Sequence, residues 1–306
     1  MSAFRGTRYA GLMSDIRGVL TAMVTPFDDD GAVDLDLSRR LARRLVDGGC
    51  HGIVVAGTTG EAPTLSDDEK VRLLDTVLDE VGDTATVIAG TGTNDTAHTV
   101  SLTRKARDIG AHGVLVVTPY YNKPNEAGLR AHFGAVADAV PETPIVLYNI
   151  PSRTVINLSP ELLADLAAQH RNVVAVKQAN DDELGPIDGL AILAGNDHVI
   201  ARTLAFGGAG GILVASNVAA PQLRALYDAA VGGDGERAEE LDRELTPLYR
   251  AMTVAPAATS AKTALELLGV IGARVRLPMV AASASERETI RETLERQGLL
   301  AASGAR

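Results

Sequence analysis

Tryptophan is absent from this 306-residue chain, cysteine occurs once, at Cys50, and the other aromatics are four phenylalanines and six tyrosines. One cysteine excludes an internal disulfide framework and a cysteine-rich metal centre. It also suits a reducing compartment, so the cytoplasm is the expected location. Basic residues are in deficit: 29 Lys and Arg stand against 39 Asp and Glu, a formal charge of −10. A surface of that sign attracts neither a phosphate backbone nor an anionic bilayer, so neither nucleic acid nor a membrane is an expected partner. No segment approaches the roughly 18 uninterrupted apolar residues of a membrane span. Met1 to Met23, carrying Arg5, Arg8, Asp15 and Arg17, lacks the apolar stretch of an export signal. What these exclusions leave as partner is a small molecule.

Apolar residues make up 46% of the chain, ample for a full core. One pattern recurs: a short apolar run, a corner rich in Gly, Thr or Asn, then an amphipathic stretch. The runs are Gly18 to Val24, Gly52 to Ala56, Thr86 to Ala89, Gly113 to Val117, Pro144 to Tyr148, Val173 to Val176, Ala191 to Leu193 and Gly211 to Ala215. They are continuous rather than alternating, as parallel strands covered on both faces require. Helix punctuation separates them. Ser66 to Glu69 is a capping box closed by Gly82, Ser159-Pro160 is a cap with a proline at the first helical position, and further helices are predicted over 35–47, 96–109, 129–139 and 197–206. Eight strands alternating with helices predict a (β/α)8 TIM barrel. An open doubly wound sheet shares the alternation, but the count favours closure.

The strand signal stops near Pro221. Three helices are predicted over 236–252, 260–268 and 285–297, the last opened by a Ser285 to Glu288 capping box. The expected division is a catalytic barrel over 1–225 and a C-terminal helical domain over 226–306, the latter without a titratable cluster and serving packing or assembly.

Barrel chemistry sits at the C-terminal ends of strands, which directs attention to the residues after each run. After the second, Gly57-Thr-Thr-Gly-Glu61 surrounds two hydroxyls with exposed backbone N–H groups, a cradle for a small carboxylate or simply a strand-end turn. It lacks the spacing of a dinucleotide or phosphate loop. The sixth run ends in Lys177. An amine at the mouth of an apolar barrel is pushed toward its neutral, nucleophilic form and can make a Schiff base; the other reading is a lysine reaching solvent or pairing with Asp181, Asp182 or Glu183. Thr118 to Pro124 and Tyr148 to Thr154 add tyrosines at strand ends, able to pass protons or merely half-buried in the core, and Arg153, able to grip a carboxylate. The histidines lie mostly in helices or before strands and suggest surface or core roles.

GTTGE at 57–61, PYYNKP at 119–124, YNIPSRT at 148–154, VKQA around Lys177 and GGILVASN at 210–217 together resemble the dihydrodipicolinate synthase and N-acetylneuraminate lyase family. The likeness runs from Gly18 to the RLPM at 276–279. It is stronger to members that condense pyruvate with aspartate semialdehyde in lysine and diaminopimelate biosynthesis than to lyases of N-acetylneuraminate or 2-keto-3-deoxy sugar acids, because Arg153 stands where those need hydroxyl-reading groups. The resemblance implies that Lys177 forms a pyruvyl imine and that Thr58 and Thr59 hold the pyruvate carboxylate. It further implies that Thr59 shares a proton relay with Tyr148 and with Tyr121 of a neighbouring subunit, that Arg153 binds the semialdehyde carboxylate, and that the backbone of Ile212 lines the pyruvate pocket. A homotetramer, as a dimer of dimers, follows by the same likeness. The imine is itself an electron sink, so no cofactor or metal is expected. A non-catalytic keto-acid sensor on the same barrel should lack a relay residue, and none of Thr59, Tyr121, Tyr148 or Lys177 is missing.

Two departures stand out. Gln178 follows the lysine where an acidic residue is common in the synthases, which leaves room for another aldehyde acceptor. Asn94 and Tyr120 match the feedback pocket of lysine-inhibited members, but His98 replaces a glutamate there, and Asp67 and Lys70 occupy the positions of histidines. A cationic Lys70 repels a lysine ligand's ammonium. Weak or absent inhibition is therefore expected when initial rates are compared with and without millimolar L-lysine; a steep fall in rate would contradict it.

Overall fold

The computed structural model describes residues 16–301. Residues 1–15, which hold most of the stretch read for an export signal, and 302–306 lie outside the described residues. Eight parallel strands, β1 (Gly18–Ala22), β2 (Gly52–Val55), β3 (Thr86–Gly90), β4 (Gly113–Val117), β5 (Ile145–Asn149), β6 (Val173–Gln178), β7 (Ala191–Ala194) and β8 (Gly210–Leu213), pair in sequence order and close into a barrel through β8 and β1. The predicted closure over an open sheet is thus what forms.

Both faces of these strands are buried, which is why their runs are continuous. Val19, Ile53, Val87, Val114, Leu147, Val176 and Leu213 point out against the helices, while Leu20, Val54, Ile88, Leu115, Val146, Tyr148 and Ile212 fill the barrel. On β6 the alternation is interrupted. Ile145 pairs with Val173 but Val146 pairs with Ala175, so Val174 is an extra residue, a β-bulge. A one-residue slip exchanges the faces of everything after it. Beyond Val174 the register therefore sets Tyr148 beside Lys177 and Asn149 beside Gln178, with the Tyr148 and Lys177 pair inward.

The helices are α1 (Leu35–Asp47), α2 (Asp67–Val81), α3 (Thr96–Ile109), α4 (Glu126–Ala139), α5 (Pro151–Thr154), α6 (Pro160–Gln169), α7 (Ile200–Ala205), α8 (Ser216–Val231), α9 (Gly235–Ala251), α10 (Ala257–Leu267) and α11 (Ala284–Arg296). Asp34, Ser66, Asp95, Asn125 and Ser159 each accept a backbone N–H of the first turn they cap. The Asn125 cap starts α4 three residues before its first large apolar side chain, Leu129, where the helix was expected to begin. The helix predicted over 197–206 is a 3-10 turn, Asp197–Val199, followed by the shorter α7; the Asp197 carboxylate is turned away to backbone N–H groups beyond β8. α8 was not among the predicted helices. Pro221 lies inside it, next to the non-helical kink at Ala219. The last capping box belongs to Ser283 and Glu286 rather than Ser285 and Glu288: Ser283 N–H donates to Glu286 Oε2 at 2.7 Å. The expected division at 225/226 falls inside α8. Among the described residues no helix is long and apolar enough to cross a membrane.

At the seam of β8 and β1 that closes the barrel, Gly210 pairs with Gly18 where the two backbones pass too close for a side chain. Gly210 adopts φ +143°, and a Cβ there would meet the Gly18 carbonyl oxygen at 2.1 Å. Gly210→Ala is expected to destabilise the fold by ~1–3 kcal/mol or more, read as a lowered Tm in calorimetry; an unchanged Tm would contradict this account of closure.

Candidate active site

β5 and β6 bring the two central side chains together. Tyr148 and Lys177 are adjacent in register and only 4% and 5% exposed, and the lysine ammonium lies 4.2 Å from the centroid of the phenol ring. The strand ends are tied: Thr118 donates from both its N–H and its hydroxyl to the Tyr148 carbonyl, at 3.0 and 2.9 Å. Lys177 has no ion pair among the described residues. Of the three carboxylates named as rival partners, Asp181 is engaged by His198 and Asn196 and Glu183 by Asn157, while Asp182 is exposed and makes no ion pair with Lys177. Of the two readings of Lys177, the surface ion pair is therefore the one the geometry sets aside.

After β2 the chain turns sharply. Glu61 has a left-handed backbone, φ 60°, its N–H donates to the Thr58 carbonyl at 3.1 Å, and the Ala62 N–H donates to the Gly57 carbonyl at 3.2 Å. The Thr25 hydroxyl, from the corner after β1, donates to the Gly60 carbonyl at 2.7 Å. Thr58 is half-buried and Thr59 is buried, with no side-chain hydrogen bond from Thr59 to Tyr148 among the described residues. Thr58, Tyr148 and Arg153 line one cavity of about 430 Å³ at the C-terminal rim of the barrel. Arg153 is exposed on α5, a one-turn helix that Pro151 opens right after β5. Ile212 is fully buried in the barrel interior with Tyr148. Tyr121 is not brought to this cavity within the chain; it is 87% exposed, on a left-handed backbone of φ 72°. The outer end of the cavity is lined by Asp67, Lys70, Asn94, His98 and Tyr120, where His98 Nε2 meets Asp67 at 2.9 Å. Burial lowers the Lys70 pKa.

Several groups escaped the sequence reading. Asp197 is buried and accepts the N–H groups of Val214 and Ala215 at 2.9 and 3.1 Å. Burial pushes its carboxyl up to about 6, against those donors and the nearby charge of Lys177. Asn217, at the end of GGILVASN, ties strand ends by accepting the Val24 N–H at 3.2 Å and donating to the Ala22 carbonyl at 2.9 Å. The C-terminal segment, expected to carry no titratable cluster, sends Lys262 and Arg276 to the turn after β2. Lys262 Nζ meets Glu61 at 2.5 Å and Arg276 meets Glu69 at 2.5 Å. No sequence signal announced these partners because each pair spans more than two hundred residues.

The sequence profile of the Dihydrodipicolinate synthetase family matches residues 15–297. A 4-hydroxy-tetrahydrodipicolinate synthase of Symbiobacterium thermophilum is 46% identical over 288 residues, spanning 92% of this chain and 98% of the relative. Another, of Acidothermus cellulolyticus, is 48% identical over 286 residues, 92% of each chain. Among solved structures, dihydrodipicolinate synthase from Thermotoga maritima superposes with a TM-score of 0.89 at 40% identity, covering 93% of this chain and 99% of that one. The chloride-inhibited enzyme from Acinetobacter baumannii, complexed with pyruvate, gives 0.90 at 33% identity, covering 94% and 100%.

The Arg276 guanidinium holds the Glu69 carboxyl at about 2, below its ordinary 4.5. A carboxyl depressed on folding stabilises the fold above its unfolded pKa, and that contribution is lost as pH falls from about 4.5 towards about 2. Glu69→Gln is expected to lower the Tm at neutral pH, with the gap to the parent protein closing across that acid window; a gap independent of pH would contradict the ion pair.

Proposed function

The chain belongs to the Dihydrodipicolinate synthetase family, and from that membership and the site geometry we propose that it acts as a 4-hydroxy-tetrahydrodipicolinate synthase, condensing pyruvate with L-aspartate 4-semialdehyde in lysine and diaminopimelate biosynthesis. The single observation that carries the reading is Lys177: inward on β6, buried, beside the Tyr148 ring and without a carboxylate partner among the described residues.

In this reading the Lys177 amine attacks the ketone carbon of pyruvate, a C–N bond forms, and the oxygen leaves as water. The resulting protonated imine withdraws electrons, so loss of a proton from the adjacent methyl gives an enamine. Its carbon attacks the aldehyde of the semialdehyde, whose oxygen takes up a proton. The amine of the acceptor then displaces Lys177 as the ring closes. Tyr148 and Thr59 move protons at the imine carbon, Thr58 and Thr59 hold the pyruvate carboxylate, the Ile212 backbone lines the pocket, and Arg153 grips the second carboxylate at the cavity rim. Because the imine is the electron sink, the reaction as proposed draws on neither a metal nor an organic cofactor.

Tyr121 completes the relay from a second copy. Its exposure and left-handed backbone support that assignment, since a large apolar side chain held out from the rim gains by burial in a partner. A homotetramer built as a dimer of dimers accommodates the exchange, and the cytoplasm is the proposed location.

Sodium borohydride added with pyruvate is expected to fix one reduced pyruvyl group on Lys177, located by peptide mass spectrometry; no adduct on that residue would overturn the reading. In a coupled assay run beside sugar-acid cleavage, Tyr148→Phe should lower kcat by about 10²- to 10⁴-fold, and Arg153→Ala should raise the KM for the semialdehyde rather than for pyruvate. Cleavage of a sugar acid faster than condensation would assign the chain to a lyase.

A further inference from the structure

Lys262, on α10, lies outside the barrel and 201 residues from Glu61, yet both side chains are entirely shielded from solvent. Ionised groups are rarely buried in this way unless every donor and acceptor is met. Here they are. Lys262 Nζ donates to Glu61 Oε1 at 2.5 Å and to the Arg274 carbonyl at 2.7 Å, and it lies 4.0 Å from the centroid of the Phe27 ring. The second oxygen of Glu61 accepts the Arg276 N–H at 2.9 Å. Both carboxylate oxygens are thus claimed by the C-terminal segment. The Arg276 guanidinium also lies over Phe27, at 4.4 Å, and reaches the Thr64 and Gly31 carbonyls.

A buried pair of this kind is often no more stabilising than apolar side chains of the same shape, so a positional role is a natural reason for it. Glu61 is the last residue of the turn Thr58-Thr-Gly-Glu61, and its left-handed backbone sets the direction in which the chain leaves Thr59. One end of the turn is fixed by β2. The other end is held by the Thr25 hydroxyl on the Gly60 carbonyl and by the Glu61 side chain, which alone ties the turn to the C-terminal segment before the short 3-10 helix Ala62–Thr64 begins. Without the Lys262 bond the turn loses its tether to α10 whether or not residue 61 is charged, which frees Thr58 and Thr59; a Glu61 left ionised would in addition carry an unpaired charge in an apolar site.

We propose that Lys262 is a positioning residue for the reaction: through Glu61 it holds Thr58 and Thr59 in the geometry that binds the carboxylate of the keto acid, so the helical extension completes the barrel's active site. The proposal rests on the assignment of Lys177 as the imine lysine and of the threonines as the carboxylate cradle.

The test uses the full-length protein and borohydride trapping, reading the pyruvate concentration that gives half-maximal adduct on Lys177. Lys262→Met is expected to raise that concentration by about tenfold or more, as expected when a hydrogen-bonding cradle is displaced, while the semialdehyde KM moves much less. Because that variant leaves Glu61 charged and is at risk of misfolding, Glu61→Gln/Lys262→Met is measured as well. With no charge left unpaired it should keep a Tm near that of the parent and still show the raised half-saturation. A purely structural pair would lower the Tm and leave half-saturation unchanged in the folded protein. Parental half-saturation in the double variant overturns the proposal. Absence of any adduct in the parent protein overturns the imine assignment itself.

Discussion

The inward phase of β6 is the constraint on which this site depends. A strand has a period of two, so only the bulge at Val174 brings Lys177 to the same face as Tyr148. Without the extra residue, continuing the Ile145 and Val173 register would set Tyr148 beside Val176, and the amine would turn towards the helical layer. At the bulge Ala175 belongs to the inner apolar cluster and the partly buried Val174 packs against the same cluster. A local irregularity of one residue thus decides whether the Lys177 amine faces the barrel interior.

Around that amine the environment is mixed by design of the fold. Below it the barrel is filled by Leu20, Val54, Ile88, Leu115, Val146 and Ile212. Beside it lie the Tyr148 ring and, further off, the buried Asp197, whose carboxyl is anchored to two backbone N–H groups of the β8 end. The cavity that Tyr148 lines at the rim is bordered by polar groups: Thr58, Arg153, Asn94, His98 and Lys70. An apolar floor with a polar, partly cationic rim suits small anionic carbonyl compounds despite the acidic charge of the chain as a whole.

The helical extension is joined to this site by charge as well as by apolar packing. α8 and α9 pack closely and place Leu223, Leu245 and Leu248 in the same apolar core as the outer faces of the strands. The Lys262 and Glu61 pair and the Arg276 and Glu69 pair then clamp the turn after β2 and the start of α2. Phe27, after β1, lies under both cations. Three segments distant in the chain therefore meet at one aromatic ring, and the expected border at 225/226, inside α8, does not mark a break in the packing.

The sequence by itself determined most of the architecture. Continuous apolar runs told of strands covered on both faces, their number told of closure, and Ser66 and Ser159 marked helix starts because capping is a local interaction. The places of Lys177, Tyr148, Thr58 and Arg153 at or just after strand ends were legible for a related reason: the strand ends follow from the runs. Only the tertiary structure decided the rest. The bulge at Val174, the α8 kink before Pro221, the choice of Ser283 over Ser285 as a cap, and the roles of Asp197, Lys262 and Arg276 depend on partners far away in the chain. Hydrophobic period and capping act within a few residues and leave a trace in the sequence, whereas register slips and buried ion pairs are settled by packing between segments brought together only on folding.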